Sequence, residues 1–307
     1  MKKIEILLFA LLLVLYSSSQ SLGDNKIYND FMKDYNDNKW KIVVVERGKI
    51  KYGDPISGKT TSLFKNKDYT FNTPIEKVNC PSLCFNNSKL LIAKNNYIEN
   101  TGKLILIDLK TGIEKVLIVS RPIISPVTSR DDKYIAYLSD YNDLLYSLYI
   151  LDVESGNAEK IIDNYVTHGG VYDTAISWGD NNQLFYSDKN KNINVFDLST
   201  KTPIKITSGY DPIISPDNLD IIYKKDGYKP YTPFVYELKG GKIRRISGSE
   251  IFNATWSPNN KYFLIVRNIS RIWRWNEWEK EVIIIDVKTN EKKKLFEFEG
   301  YEYIDCK

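Results

Sequence analysis

Histidine is almost missing from this 307-residue chain, with His168 as its single copy. That excludes metal centres built on several histidines, and neither H-E-x-x-H nor G-x-S-x-G occurs. A nucleophilic triad would have to combine this one imidazole with a distant serine and aspartate. Cysteine is nearly as scarce, at three. Cys80 and Cys84 lie in a stretch read as extended, which puts their Cα atoms about 13 Å apart, against the roughly 7 Å a disulfide tolerates. Cys306 is left to clamp the two ends by pairing with either of them, or all three remain buried thiols. Linkers, low-complexity runs and amphipathic helical periods are also absent beyond the N-terminus, save a short helical candidate from Ile27 to Tyr35. The net charge of +4 is spread along the chain, which argues against a nucleic-acid partner.

No apolar run reaches the ~20 residues of a comfortable membrane span. The longest N-terminal one, Ile6 to Tyr16, follows Lys2 and Lys3 and precedes Ser17, Ser18 and Ser19. That is the order of a secretory signal peptide, expected over residues 1–20, with an uncleaved anchor as the alternative. The mature chain is expected to begin between Ser18 and Asp24, outside the cytoplasm, either periplasmic or secreted. No cysteine stands near that point to take a lipid.

What the chain has is β-forming residues and a repeat. Tyrosine, at 22, outnumbers phenylalanine, at 12, among plentiful Ile, Val and Thr. A polar turn followed by an apolar strand recurs at Tyr35 (Y-N-D-N-K-W-K-I-V), Cys84 (C-F-N-N-S-K-L-L-I) and Ser129 (S-R-D-D-K-Y-I-A-Y). It returns at Trp178 (W-G-D-N-N-Q-L-F-Y), Ser215 (S-P-D-N-L-D-I-I-Y) and Ser257 (S-P-N-N-K-Y-F-L-I). Successive starts differ by 49, 45, 49, 37 and 42 residues. A second turn keeps step with the first at Asp54, Asp108, Asp152, Asp197, Glu237 and Asp286, as in D-L-K-T-G and D-V-E-S-G. An acidic residue caps its own backbone in such a turn and Gly supplies positive φ. Six units of four short strands, unable to bury both faces alone, predict an all-β, six-bladed propeller over 27–304. The tail strand, Tyr301 to Ile304, is expected to close the ring by adding to the first blade beside Tyr28 to Met32.

The S-P-D/N-N-K-aromatic-I pattern followed by I-x-x-x-D-x-x-T/S-G resembles the repeat of TolB-type six-bladed propellers. The resemblance covers all six units and is strongest at Ser129, Ser215 and Ser257. It departs from the pattern at Cys84, Trp178 and Glu237. It implies the fold. The TolB role is not carried with it, because TolB has a separate domain before its propeller, whereas only a short segment separates the expected signal peptide from the first blade here.

Three motifs imitate chemistry. Gly53 to Thr60 reads G-D-P-I-S-G-K-T, a full match to the phosphate-binding loop, but no helical period follows and Asp54 to Gly58 is the recurring turn. Gly58 and Lys59 are therefore read as a hairpin. Asp188, Asn190 and Asn192 have calcium-loop spacing without its Gly and Glu, and are read as another polar hairpin. Paired carboxylates for glycoside hydrolysis remain an open reading, although most acidic residues occupy turn positions. No catalytic residue, cofactor or metal is assigned.

Connections in a propeller blade alternate between the two ends of the ring. The two recurring turns fall at one end, and the irregular segments collect on the other rim. They bring Tyr97, Tyr141, Tyr172, Tyr210, Tyr228, Tyr231 and His168 together with an insertion from Arg267 to Trp278 that the repeat does not require. Within it stand Arg271, Trp273, Arg274, Trp275 and Trp278; Trp273 and Trp275 alternate and share a face of an extended ribbon. Trp, Tyr and Arg dominate interface energetics, and Trp faces also stack on ligands. The insertion either makes such a contact or folds over its neighbour as extra core. The expectation is a non-catalytic module binding a protein or peptide through this rim. The alternatives are a glycan-binding or glycan-cleaving funnel, and a propeller docked in a larger assembly with no ligand of its own.

Overall fold

The computed structural model describes residues 26–38, 40–46, 49–63, 76–84, 88–142, 145–166, 176–180, 182–225, 232–246, 253–268 and 279–306. A helix, α1 (26–37), precedes the strands. Blade 1 contains β1 (Ile42–Glu46), β2 (Lys49–Asp54) and β3 (Lys59–Ser62). Blade 2 is β4 (Glu76–Cys84), β5 (Lys89–Asn96), β6 (Thr101–Asp108) and β7 (Glu114–Ser120). Blade 3 is β8 (Ile124–Thr128), β9 (Tyr134–Asn142), β10 (Leu145–Asp152) and β11 (Ala158–Val166). Blade 4 is β12 (Ile176–Trp178), β13 (Gln183–Ser187), β14 (Asn192–Asp197) and β15 (Thr202–Ser208). Blade 5 is β16 (Tyr210–Ile214), β17 (Asp220–Lys224), β18 (Pro233–Glu237) and β19 (Ile243–Arg245). Blade 6 is β20 (Asn253–Trp256), β21 (Tyr262–Asn268), β22 (Glu279–Asp286) and the first half of β23 (Lys292–Cys306).

Every pairing is antiparallel between neighbours, and the second half of β23 crosses into blade 1 to lie against β1, Ile42 opposite Cys306 and Val44 opposite Ile304. The ring thus closes with its last strand, as expected. Its partner is β1, however, because 28–32 belongs to α1. That helix covers the closing seam: Ile27, Phe31 and Met32 join Trp40, Ile42, Tyr262, Ile284 and Phe298 in one buried cluster.

Middle strands of a blade are covered on both faces and read as unbroken apolar runs; outer strands are half wet. Along β22, Val282 and Ile284 enter the core shared with blade 1, while Ile283 and Ile285 enter the core shared with blade 5. The outer β7, by contrast, is exposed at Glu114, Lys115, Val116 and Val119. Burying one such Leu- or Ile-sized side chain contributes about 1.5–3 kcal/mol, so the six seams carry most of the fold.

The first recurring turn is a small side-chain knot. The Oγ of Ser129, Ser215 and Ser257 accepts from the backbone N–H of Tyr134, Asp220 and Tyr262, at 2.9, 2.9 and 3.0 Å. Each hydroxyl donates in turn to the side chain two residues on, Asp131, Asp217 or Asn259. Asp132, Asn218 and Asn260 supply the positive φ that this turn needs. In the second turn Asp108 Oδ1 accepts from the N–H groups of Lys110 and Thr111, and Asp286 Oδ1 from those of Lys288 and Thr289. The phosphate-loop look-alike is this turn: Gly58 has φ 66°, its N–H donates to Asp54 O at 2.9 Å, and Asp54 lies opposite Lys59 in a β2–β3 hairpin. Cys84 is buried with Sγ 3.7 Å from the Lys89 carbonyl, and β4 bulges between Asn79 and Ser82. The side chains of Cys80 and Cys306 lie outside the described set, as does the N-terminal segment.

Candidate functional site

The two ends of the ring differ. At the turn end, Arg130 of blade 3 reaches across two neighbours: its guanidinium donates to Asp180 of blade 4 and, in blade 5, to the carbonyls of Pro216 and Ser215 and to Asn218 Oδ1. The Asp217 N–H donates to Asn260 Oδ1 of blade 6 at 3.1 Å. Asn259 and Lys261 then both bind Asp34 of α1 at 2.9 Å. Turns from four blades and the helix are therefore stitched together. Arg130 is one-third exposed, so its ion pair with Asp180 is screened, and the donations to blade 5 matter more. Arg130→Met is expected to cost ~2 kcal/mol. Differential scanning fluorimetry should read this as a drop of several degrees in Tm.

Deeper in, Trp178 Nε1 donates to Val127 O at 3.1 Å and Trp256 Nε1 to Ile213 O at 3.0 Å, each tying an inner strand to that of the preceding blade. Trp40, 6% exposed, packs edge-on against Phe31. All three tryptophans among the described residues thus have structural partners.

The opposite end carries the loops between second and third strands and the links between blades. Asn95, fully buried, exchanges two hydrogen bonds with the Ile123 backbone at 2.7 and 2.8 Å, fixing the link from blade 2 to blade 3. Gly102 sits where a Cβ would fall 2.5 Å from Asn95 Oδ1, so only glycine admits that strap. Asp211, at φ 55° and buried, pairs with Lys224 at 2.7 Å, and its N–H donates to Ser187 Oγ of blade 4. On blade 3, Asp140 accepts from the Tyr149 hydroxyl, and Lys160 lies 3.5 Å from Asp140 and 3.0 Å from Asp163. Burial and the Asp140 contact push the Tyr149 hydroxyl up, while Lys160 and Ser147 hold the Asp163 carboxyl below its ordinary range. A carboxyl held low, as Asp163 is, makes a poor glycosidase acid, since the proton donor needs a raised value.

Asp220 is raised, by burial first and then by Asp217 and Glu237, with Arg244 opposing, but it lies at the turn end. Asp188 is lowered: burial pushes it up, and donations from the Asn190 and Asn192 backbones and the Asn192 and Asn194 amides outweigh that. Those four donors saturate the carboxylate, which makes this segment the polar hairpin β13–β14. Among the described residues no three His, Cys, Asp or Glu side chains stand close enough together to hold a metal.

Of the residues singled out from sequence, Tyr210 is described: half-buried, it opens β16 opposite Lys224. Tyr97, in the β5–β6 loop of blade 2, is 45% exposed, and the side chain of Tyr141 lies outside the described set. His168, Tyr172, Tyr228, Tyr231, Arg271, Trp273, Arg274, Trp275 and Trp278 lie outside the described residues. The stem of the insertion is described, with β21 and β22 paired out to Arg267 opposite Glu281 and Asn268 opposite Lys280. Arg267 Nε donates to Glu281, and Lys280 and Glu281 are 1% and 7% exposed, an unusually charged base for a hairpin. The sequence reading missed this base, the Lys160 cluster and the Asp211–Lys224 pair. For the last of these the Asp211-Pro212 step was the available signal: Asp211 precedes a proline in an inner strand and has positive φ.

No family model matches the sequence, and no curated protein matches it. Solved structures do. TolB from Acinetobacter baumannii is similar at TM-score 0.57 and 24% identity, over 68% of this chain and 53% of that one. The chain thus spans about half of that TolB. A putative TolB from Agrobacterium tumefaciens gives TM-score 0.61 at 15% identity, over 86% and 91% of the two chains. A chain of the nidogen/laminin complex gives 0.59 at 11%, over 87% and 98%. The fold is that of a TolB-like six-bladed propeller. At these identities the likeness concerns the fold alone.

Proposed function

We propose that this chain is an exported, non-catalytic propeller that binds a protein or peptide through its loop-bearing rim. Arg271, Trp273, Arg274, Trp275 and Trp278 form the main contact, with His168, Tyr172, Tyr210, Tyr228 and Tyr231 around them. One observation carries the reading: at the turn end four blades and α1 are tied together by the Arg130–Asp34 stitching, and the three described tryptophans are taken up by the seams. The other three tryptophans all fall in one stretch of sequence, the insertion between β21 and β22. The nidogen/laminin structure, a complex by its name, supports a partner-binding use of this scaffold. Export rests on the signal-peptide pattern, to a periplasmic or secreted location. Among the described residues no helix is long and apolar enough to cross a membrane.

The test is affinity capture from the exported fraction with the mature chain and with a Trp273→Ala, Trp275→Ala variant. A partner retained by the wild type and lost by the variant is the expected outcome. An identical set of retained proteins would sink the proposal.

A further inference from the structure

Nine large apolar side chains stand exposed among the described residues, and five of them belong to blade 2: Tyr97, Ile98, Ile113, Val116 and Val119. Val116 and Val119, 48% and 59% exposed, lie on β7, whose outer edge closes no sheet among the described strands. Open strand edges are usually blunted by shortness, proline or charge. The other outer strands follow that rule. β3 is four polar residues, β19 is Ile-Arg-Arg, β15 contains Pro203 and Lys205, β11 carries Glu159, Lys160 and Asp163, and β23 opens with three lysines. β7 reads E-K-V-L-I-V-S, with its charges confined to the first two residues.

The register adds a second observation. Glu114 pairs with Ile107, Val116 with Ile105 and Val119 with Lys103, and the strand bulges at Leu117. Alternate residues of β6 share a face, so Glu114, Val116 and Val119 share one too. A regular strand would put Val116 and Val119 on opposite faces. Because of the bulge, an antiparallel copy related by a twofold between Leu117 and Ile118 sets Val116 against Val119 twice on one face, and Lys115 against Ser120 on the other. It also brings Glu114 to the end of the seam where Arg121, 59% exposed, stands on the other copy.

We propose that β7 pairs with β7 of a second copy of this chain, joining two four-stranded blades into one eight-stranded sheet across an isologous interface. The backbone edge supplies the ladder, the valine pairs give it an apolar face, and opposite charges at the strand ends fix its direction. A foreign strand is disfavoured because the edge is complementary to itself. The β7 edge and the tryptophan insertion share no residue, so either proposal can fail without the other.

Sedimentation velocity on the mature chain tests it, at about 1–100 μM. The wild type should move to twice the monomer mass as concentration rises. Val116→Lys with Val119→Lys, both at exposed positions, should remain monomeric with unchanged circular dichroism and melting. Ile204→Lys, on the defended edge β15, should dimerise as the wild type does. Glu114→Arg reverses both symmetry-related Glu114–Arg121 pairs and should weaken the dimer about tenfold, the size expected of two exposed ion pairs. Adding Arg121→Glu should restore it. A wild type still monomeric at about 100 μM, or a double-lysine variant that dimerises normally, would overturn the proposal. Failure of Arg121→Glu to restore the dimer would also count against it.

Discussion

A chain ended at Glu299 will lose cooperative folding of the ring. Gly300 to Cys306 forms the inner strand of blade 1, with Ile42, Val43, Val44 and Glu46 opposite Cys306, Asp305, Ile304 and Gly300. Residues 42–44 are fully buried, so removing that strand leaves an inner row of backbone donors and acceptors without partners in a dry setting. Each such group costs about 1–3 kcal/mol. Alternate residues of an antiparallel pair turn both groups toward the partner, so about four groups lose theirs, and together they approach the whole stability of a domain, about 5–15 kcal/mol. Blade 1 would then be held to blade 6 by side-chain packing alone. Urea titration followed by circular dichroism should show a broad transition at low denaturant. Ile304→Pro, which deletes one donor opposite Val44, should shift the midpoint in the same direction by less. An unchanged midpoint and slope for the truncated chain would mean that the ring closes in some other way.

Phe31→Ala should produce the second largest effect, a loss of about 3–5 kcal/mol, because the site is walled on every side and cannot collapse. Phe31 is fully buried; its ring meets Tyr262 edge-on at 5.3 Å, Trp40 at 5.9 Å and Tyr35 at 6.1 Å. These contacts weld α1 onto blades 6 and 1 over the same seam that the tail closes. Tyr28→Phe on the same helix removes only the hydrogen bond to Pro55 O, 2.8 Å long, and should cost about 1 kcal/mol. If both variants melted alike, α1 would be a passive cover and not part of the closure.

What sequence reading recovered, and what it did not, follows from how local each signal is. The Ser129, Ser215 and Ser257 turns encode themselves within six residues, through one hydroxyl, one side-chain acceptor and one residue of positive φ. The Asp108 and Asp286 turns are equally self-contained, which is why six units could be counted, although the first, begun at Tyr35, opens on the end of α1 (26–37) and not on this turn. Apolar runs such as Val282 to Ile285 announced strands buried on both faces. The partner of β23 was not legible, since nothing local in residues 300–306 distinguishes β1 from the segment around Tyr28. The reach of Arg130 across three blades was equally hidden, as it joins residues 85 or more apart in the chain. Ring closure and the stitched end are long-range facts. The rim was legible as a collection of loops from topology alone, and of its named residues the described structure includes Tyr97 and Tyr210.

The most direct measurement is the affinity of the captured partner, purified, for the wild-type chain and for the Trp273→Ala, Trp275→Ala variant. Hot-spot tryptophans cost 2 kcal/mol or more when truncated, so the expected loss is at least about 30-fold. Melting should stay unchanged, because the seams around Trp40, Trp178 and Trp256 are untouched. Equal affinity for the two proteins, with both folded, would contradict a rim-borne binding site.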